Sequence, residues 1–483
     1  MAALSRARSE VPVRLVAAPV RVSVPTAAAG WLVRHVWRVL MVVVTTPPAM
    51  VGLLLIVAAV ALWRLSPAVM LLVMALGAGL VVGWRVRFPD GFMRWLRLPM
   101  RAWRRGWLLY RHRWAAAMDT AGLATSWRAT TWSPMLLRLR STLSVDRVRV
   151  RMLPGQTVED YAAVADRLAQ TFGAVASRVR SVPKRVHEVE LWLLTADPLT
   201  ATVPPLPVDP DPLTAGLPVA VAEDGQVWRL QLVGSHVLVV GATGAGKGSV
   251  IWSLLLQLAP SIRAGAVEVW AVDPKGGMEL AAGQPLFARF CHGDSDTPAG
   301  YETTFAEVLE DAVTVMRSRQ DRLRGITRLH QPSTSEPLIV LVVDELAALT
   351  AWTIDREAKR RIGAALGLLL SQGRAAGMVV VGAVQDPRKE VLTVRDLFPT
   401  RIALRLSEAD QVNLVLGPGA RNRGALCDRI SDRLPGIGYV TVDGVAEPVR
   451  VRFSHITDHT IAQLYREPGG TVLSLPSSEE LAA

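Results

Sequence analysis

Residues 235–259 read "SHVLVVGATGAGKGSVIWSLLLQLA". "HVLVV" is a short β-rich run, and "SVIWSLLLQLA" carries apolar residues at helical spacing. The glycines between them let successive backbone N–H groups face phosphate oxygens, and the new helix adds its positive end. A strand, glycine loop and helix in this order predict a nucleotide-binding loop. The loop comprises Gly241, Ala242, Thr243, Gly244, Ala245, Gly246, Lys247, Gly248 and Ser249.

Polar residues follow other predicted strands. "PLIVLVVDELAAL" places Asp344 and Glu345 directly after an aliphatic run that is typical of a buried parallel strand. "MVVVGAVQDP" ends in Gln385, "VEVWAVDPKGGMEL" runs into a glycine turn with Lys275, and "TRIALRL" is a fifth strand. Carboxyl ends of parallel strands form the ligand edge of a sheet. There Asp344 can hold magnesium through water, Glu345 can polarise the attacking water, and Gln385 can sense the γ-phosphate or hold that water.

Gly248 departs from the loop pattern, which has Ser or Thr after Lys247 to bind magnesium. Lys247 itself is expected to reach the β and γ phosphates. Ser249 comes one residue late, a rotation of roughly 100° on a helix. We therefore expect Mg²⁺ to be held mainly by the phosphates, water and Asp344, with Ser249 or Thr243 as a helper.

The N-terminal region contains two long apolar runs, near residues 39–63 and 66–84. Each is close to the ~20 residues needed to cross a bilayer, and together they predict a transmembrane hairpin. Arginines flank the hairpin on both sides, which predicts cytoplasmic N- and C-termini at the plasma membrane. A buried soluble hairpin is the alternative. The Arg- and Trp-rich segment 94–114 is expected to lie on the inner leaflet.

The domain organisation follows from composition and periodicity. A strand, a capped helix and a second strand predict a small α+β adaptor module, and a Pro-dense stretch predicts a linker. The predicted regions are 1–115 (membrane), 116–196 (adaptor module), 197–218 (linker), 219–458 (motor) and 459–483 (tail).

The charge balance is basic: 54 Lys and Arg against 42 Asp and Glu give a net charge of +12. Such a balance favours a polyanionic partner, either nucleic acid or an anionic membrane face. The 2 cysteines, Cys291 and Cys427, are far apart and form neither a disulfide framework nor a zinc motif.

An ordered set of motifs resembles the FtsK/SpoIIIE family of DNA-pumping ATPases. The set is "GATGAGKGS", "VDPKGGMEL", "VVDELAAL", "GRAAGMVVVGAVQDP" and "PTRIALRLSEADQV", followed by the glycine turn "LPGIGYV". The match covers roughly residues 216–455, about half of the chain. The hairpin ahead of the motor and the Gly248 variant look like the Tra-type transfer proteins of actinomycete plasmids and integrative elements.

The resemblance implies an α/β fold: a RecA-like P-loop ATPase motor with a parallel sheet, preceded by the two-helix hairpin and the α+β module. It also implies a homo-hexameric ring around double-stranded DNA, with ATP and Mg²⁺ bound between subunits. An arginine would complete the neighbour's site, and Arg374 and Arg401 stand at the motif positions. With Lys247, Glu345 and Gln385 they make up the expected catalytic set.

Some members of the family carry a C-terminal winged-helix module, for which we expect no room here. The motor should then grip mainly DNA phosphates, and sequence recognition would come from a separate DNA-recognition or transfer protein.

Three functions compete. The first is a membrane-anchored DNA translocase for transfer between cells. The second is a type VII-like secretion ATPase that acts on proteins, although such motors usually carry several motor domains in tandem. The third is a scaffold that binds ATP without hydrolysing it, which only Gly248 favours.

Overall fold

A computed structural model describes residues 60, 63–64, 66–127, 130–293, 300–388, 394–445 and 447–466. The chain divides into two compact units, Met1–Leu96 and Arg97–Ala483.

The described part of the first unit contains an apolar helix, α1 (Pro67–Arg87), followed by the short α2 (Pro89–Phe92). The Ser66 hydroxyl accepts a hydrogen bond from the Val69 backbone N–H at 3.4 Å, which caps the start of α1. The helix has 21 residues. An 18-residue stretch within it has a mean hydropathy of 2.1, and no residue of that stretch is buried. By length and composition, α1 can cross a membrane.

Among the described residues, α1 is the one helix that passes this test. The other predicted span, residues 39–63, lies outside the described residues apart from Val60 and Trp63. The two-helix hairpin is therefore not supported, and a single candidate span takes its place.

The second unit begins with helices that lead into a small antiparallel sheet. The helices are α3 (Leu98–Arg105), a π-helical turn (Gly106–Tyr110) and α4 (Arg111–Thr120). The next elements are β1 (Thr125–Trp127), β2 (Thr130–Trp132), β3 (Met135–Ser141), β4 (Val145–Arg151), α5 (Val158–Thr171), β5 (Ala176–Ser181) and β6 (Glu188–Leu194). β1 and β2 form a hairpin, and the sheet has the order β3-β4-β6-β5. This is the α+β module, and its predicted helix and two strands are present at the expected positions.

The core of the module reaches back before residue 116. Tyr110 and Trp114 stack on Phe172, with ring centroids 4.7 and 5.9 Å apart. Both are buried in the same cluster as the inner residues of β4 and β6. The expectation that segment 94–114 lies on the inner leaflet is therefore wrong for Tyr110 and Trp114, which pack inside the module, whereas Trp107 and Leu108 stay 36% and 57% exposed.

The larger sheet belongs to the predicted motor. Its elements are α6 (Pro212–Ala215), β7 (Leu217–Ala222), β8 (Val227–Leu230), β9 (Val237–Val240), α7 (Lys247–Arg263), β10 (Val267–Asp273), β11 (Phe287–His292), α8 (Gly300–Leu323), β12 (Leu338–Val343), α9 (Leu346–Thr350), α10 (Arg356–Gln372), β13 (Met378–Val384), β14 (Thr400–Ala403), α11 (Ala409–Leu416), β15 (Ile437–Val442), β16 (Val449–Phe453) and α12 (Asp458–Arg466). Within the described residues it has ten strands in the order β11-β10-β12-β13-β9-β14-β15-β16-β7-β8.

The sheet is mixed. The strands from β11 to β14 pair in parallel, which confirms the predicted parallel core, whereas β15, β16, β7 and β8 extend it by antiparallel pairing. Both faces of the parallel part are covered. Leu238 and Val240 face a core shared with α8 and α10, while Val237 and Val239 face a core shared with α7. Burial on both faces explains why these strands are continuous apolar runs.

Within the second unit, ion pairs join the α+β module to the segment that follows β7 of the motor. Glu223 follows β7, is 1% exposed, and lies 3.6 Å from Arg178 and 3.8 Å from Arg180 of β5. The next residue, Asp224, pairs with Arg147 of β4 at 2.6 Å. Burial raises the pKa of Glu223, and the nearby arginines oppose that rise. Because one carboxylate is almost fully buried, removing its arginines would leave an uncompensated charge.

The Pro-rich segment 197–218 lies against the motor. Leu199 is fully buried, and its carbonyl accepts a hydrogen bond from Arg452 at 3.0 Å. The Leu206 carbonyl accepts one from the Gln257 side chain on α7, also at 3.0 Å. The predicted linker is thus held in place along its length.

His236, which lies just before β9, is expected to make the free energy of unfolding of the motor depend on pH. It is fully buried, and its Nδ1 accepts a hydrogen bond from the Val380 N–H at 3.0 Å. Burial, reinforced by the charge of Arg374, lowers the pKa of His236 from 6.5 to about 4. In this window the unfolded state binds the extra proton, so stability is present above pH 6.5 and is lost as the pH falls toward 4.

We expect this single histidine to remove up to about 3 kcal/mol of unfolding free energy across that window. His236→Asn keeps an acceptor for Val380 and should flatten the decline, measured by chemical denaturation near neutral pH and near pH 4. The exposed His459→Asn variant is the control. An unchanged decline in His236→Asn would contradict the assignment.

Candidate nucleotide-binding and hydrolysis site

The glycine loop lies where predicted, between β9 and α7, at the carboxyl edge of the parallel strands. The Gly241 N–H donates to the Val384 carbonyl at 3.2 Å, and the Ala242 N–H donates to the Arg405 carbonyl at 2.9 Å. Gly244 and Gly246 have φ values of +74° and +98°, which L side chains rarely adopt. The loop is therefore anchored to two neighbouring strand ends and curls through conformations that favour glycine.

The turn "LPGIGYV" closes the other side of the loop. The Gly436 N–H donates to the Ala245 carbonyl at 2.9 Å. A Cβ atom at Gly246 would lie 2.5 Å from the Gly436 nitrogen, so the two backbones meet where only glycine fits.

Lys247 begins α7 with its ammonium group folded toward the loop. Its Nζ donates to the Gly241 carbonyl at 2.9 Å. Burial lowers the pKa of Lys247, and the nearby Glu345 carboxylate opposes that shift. A half-buried ammonium beside a curled loop suits a ligand that brings negative charge, such as the phosphates of a nucleotide.

Asp344 and Glu345 follow β12 as predicted and are 3% and 0% exposed. Asp344 pairs with the Lys275 ammonium at 2.7 Å, and Glu345 lies 3.6 Å from it. Burial raises the pKa of Glu345, while the Lys275 charge lowers it. Glu345 Oε1 accepts from the Gln385 N–H at 3.3 Å, and Oε2 is buried without a hydrogen-bond partner. A buried, incompletely satisfied carboxylate is suited to hold and polarise a water molecule.

Gln385 follows β13 and connects the acids to the loop. Its side-chain oxygen accepts a hydrogen bond from the Thr243 hydroxyl at 2.9 Å. The Thr243 carbonyl accepts from Arg405 at 2.9 Å. The backbone of Gln385 thus holds Glu345 while its side chain holds the tip of the loop. This link between the loop and Glu345 is the geometry expected of a γ-phosphate sensor.

The loop after β10 brings two further charges to the edge. Asp273 is fully buried and accepts hydrogen bonds from the backbone N–H groups of Lys275, Glu279 and Leu280, at 3.1, 2.9 and 3.0 Å. Burial raises the pKa of Glu279, and the negative charge of Asp344 adds to that rise. From the sequence alone, Glu279 belongs to the motif "VDPKGGMEL" but has no predicted role. Its position two residues after the glycine pair was the available signal.

The loop, Asp344, Gln385 and the residues after β10 line one cavity of about 620 Å³, a size that suits a nucleotide, and Glu345 lies directly behind Asp344 in the chain. Its lining includes Lys247, Gly248, Ser249, Lys275, Glu279, Asp344 and Gln385. Among the described residues, no group of three or more His, Cys, Asp or Glu side chains is arranged to hold a metal alone. A magnesium ion here would need oxygens from the nucleotide phosphates besides the protein carboxylates.

The two candidate arginines lie away from this cavity. Arg374 is exposed and comes just before β13, at the amino edge of the sheet, whereas the cavity lies at the carboxyl edge. Arg401 on β14 is half-buried, 3.4 Å from the Val415 carbonyl and 3.9 Å from Asp396. Arg401 therefore makes contacts within its own chain, and Arg374 is the more available to a neighbour.

Comparison with known proteins agrees with this geometry. The model of the FtsK/SpoIIIE family matches residues 201–424. Residues 201–424 form an FtsK/SpoIIIE domain. The FtsK/SpoIIIE domain contains the glycine loop, the acids after β12 and Gln385, and it ends before the glycine turn at Gly436.

The chain is 29% identical over 377 residues to transfer protein TraSA of Streptomyces ambofaciens, covering 71% of this chain and 88% of the relative. It is 26% identical over 270 residues to DNA translocase FtsK of Corynebacterium efficiens, covering 52% of this chain but 27% of that protein. Among solved structures, the pCW3 conjugation coupling protein TcpA with ATPγS is 16% identical, with a TM-score of 0.43 over 74% of this chain and 99% of that one. That TM-score is too low to bear on function.

Proposed function

We propose that this protein is a membrane-anchored, ATP-driven translocase of double-stranded DNA that serves conjugative transfer between cells. The observation that carries the proposal is the assembly of Lys247, at the start of α7, with Asp344, Glu345 and Gln385, just after β12 and β13, in the region that matches the FtsK/SpoIIIE family. The similarity to a transfer protein over most of the length of both chains supports the conjugative role.

In the proposed hydrolysis, each residue of the site has a separate role. Lys247 and the loop N–H groups bind the β and γ phosphates and neutralise charge as the terminal phosphoryl group leaves. Glu345 orients and polarises the attacking water, and Gln385 reports the state of the γ-phosphate to the loop. Magnesium, held by Asp344 and the phosphates, would neutralise the developing negative charge.

A ring of six subunits would complete each site with Arg374 of the next subunit. DNA in the ring would be gripped through its phosphates, which the net charge of +12 favours. Helix α1 would anchor the ring to the membrane, and its last turn carries Arg85 and Arg87, as expected at a cytoplasmic end.

The test is ATP hydrolysis by the full chain in detergent micelles, with and without linear double-stranded DNA. We expect stimulation by DNA that fades steeply as salt rises, because phosphate contacts release counterions. Lys247→Ala should abolish hydrolysis, whereas the matched control Lys359→Ala, an exposed lysine on α10, should not.

Hydrolysis that is indifferent to DNA but stimulated by secreted protein substrates would replace this proposal with a type VII-like secretion ATPase. A triplex-displacement assay separates translocation from DNA binding. A protein that moves along the duplex with ATP displaces the third strand, whereas a protein that only binds DNA leaves the third strand in place.

A further inference from the structure

The helix position that normally carries the magnesium-binding hydroxyl is Gly248. A Cβ atom built there would overlap Oε1 of Glu279 and lie 3.2 Å from its Cδ and 3.8 Å from Oε2. All three of the nearest atoms therefore belong to one carboxylate. The space that a Ser or Thr side chain would fill is occupied by an acid from another part of the chain.

The backbone fixes Glu279 in this place. Its own N–H and that of Leu280 both donate to the buried Asp273 carboxylate. Leu280 is fully buried in the core beneath α7, which anchors the end of the loop. Gly277, with φ of +80°, makes the turn that precedes it. The fold of the loop thus holds the Glu279 backbone where its side chain reaches Gly248, and the carboxylate at the end of that side chain lies against the helix start.

The surroundings of Glu279 suit a cation bound together with phosphates. Glu279, Asp344, Lys247 and Lys275 line the same cavity. Among the described residues, no side chain donates a hydrogen bond to the Glu279 carboxylate, so its oxygens are available to a ligand. Magnesium prefers carboxylate and phosphate oxygens, and an acid offers it more charge than a hydroxyl does.

We infer that Glu279 supplies the metal-binding oxygen that the missing Ser or Thr hydroxyl would supply, and that residue 248 is glycine to make room for it. Magnesium would then be held by Glu279, Asp344 and the nucleotide phosphates. This inference rests on the proposed nucleotide hydrolysis. It assigns the metal role to a residue distant in sequence, in place of Ser249 or Thr243.

The first test measures metal affinity directly. Mn²⁺, a spectroscopic substitute for Mg²⁺, is titrated into the full chain in micelles saturated with a non-hydrolysable ATP analogue and followed by electron paramagnetic resonance. Glu279→Ala should weaken Mn²⁺ binding by about tenfold or more. The exposed Glu357→Ala on α10 is the matched control and should bind as the wild type does.

Binding of the same analogue in EDTA shows whether the variant is still folded. Without metal, Glu279→Ala should bind the analogue at least as well as the wild type, because a negative charge near the phosphates is gone. Wild-type Mn²⁺ affinity in a Glu279→Ala protein that still binds the analogue would overturn the inference.

A swap tests the spatial argument. Gly248→Ser alone should weaken Mn²⁺ binding, because its side chain collides with Glu279. Gly248→Ser combined with Glu279→Ala should recover affinity, because the hydroxyl then has both room and a role. A Ser249→Ala variant that loses Mn²⁺ while Glu279→Ala does not would overturn the inference in favour of Ser249.

Metal binding and DNA stimulation can fail separately. Hydrolysis that ignores DNA would contradict the proposed translocase, while a Glu279-dependent Mn²⁺ site would still support the inference. DNA-stimulated hydrolysis with an unchanged Mn²⁺ affinity in Glu279→Ala would support the translocase and contradict the inference.

Discussion

Glu345→Gln is expected to lower kcat for ATP hydrolysis by roughly 10²–10⁴-fold, the usual contribution of a general base. The substitution keeps the size of the side chain and an oxygen that can accept from the Gln385 N–H, but it removes the charge that polarises water. Nucleotide affinity should stay close to that of the wild type, because we propose that Lys247 and the loop make the phosphate contacts. Single-turnover hydrolysis and equilibrium binding of the ATP analogue measure the two effects.

Asp344→Asn separates the role of the base from that of the metal. It should weaken Mn²⁺ binding, because Asp344 belongs to the metal side of the site, whereas Glu345→Gln should leave Mn²⁺ binding intact. A Glu345→Gln protein that hydrolyses ATP at near the wild-type rate would show that another group activates the water.

Arg374→Ala is expected to lower hydrolysis at least as much, because a trans-acting arginine contributes about 10³–10⁵-fold in related phosphoryl transfer. Arg374 is exposed at the amino edge of the sheet and lies away from the cavity of its own chain. Nucleotide binding to the isolated subunit should therefore be unaffected, while hydrolysis by the assembled ring should be lost.

Mixing two inactive variants tests action between subunits. Arg374→Ala subunits retain a complete nucleotide cavity, and Lys247→Ala subunits retain Arg374, so mixed rings contain some complete sites. Hydrolysis should reappear on mixing. If it does not, and Arg401→Ala alone abolishes hydrolysis without unfolding the domain, Arg401 is the trans-acting residue. From its contacts within the chain, we expect Arg401→Ala mainly to lower stability.

Much of the site could be predicted from local sequence because of a property of parallel sheets. Each buried strand is an apolar run, and the residue after it lies at the shared carboxyl edge. Reading the short segment that follows each run was enough to place Lys247, Asp344, Glu345 and Gln385 near one another. The strand order, which brings β10, β12, β13 and β9 together, confirms that reasoning.

The antiparallel part of the sheet was harder to foresee. β7, β8 and β16 are short, and the β7–β8 hairpin joins the sheet only because β7 pairs with β16, more than 200 residues away in the sequence. The module likewise extends to Tyr110, because aromatic side chains in an Arg-rich segment pack on Phe172. An Arg- and Trp-rich segment looks the same in sequence whether it packs on protein or on lipid.

The motor class, the glycine loop and the acids at the sheet edge could be predicted from the sequence, because they depend on short stretches with strong local preferences. Gly248 was visible in the sequence as an exception without an explanation. The residue beside Gly248 emerged from the folded chain alone, since Glu279 reaches it through a turn built on the buried Asp273. A missing side chain can be replaced by one from elsewhere in the chain, and that replacement is a matter of proximity in space, which local pattern does not encode.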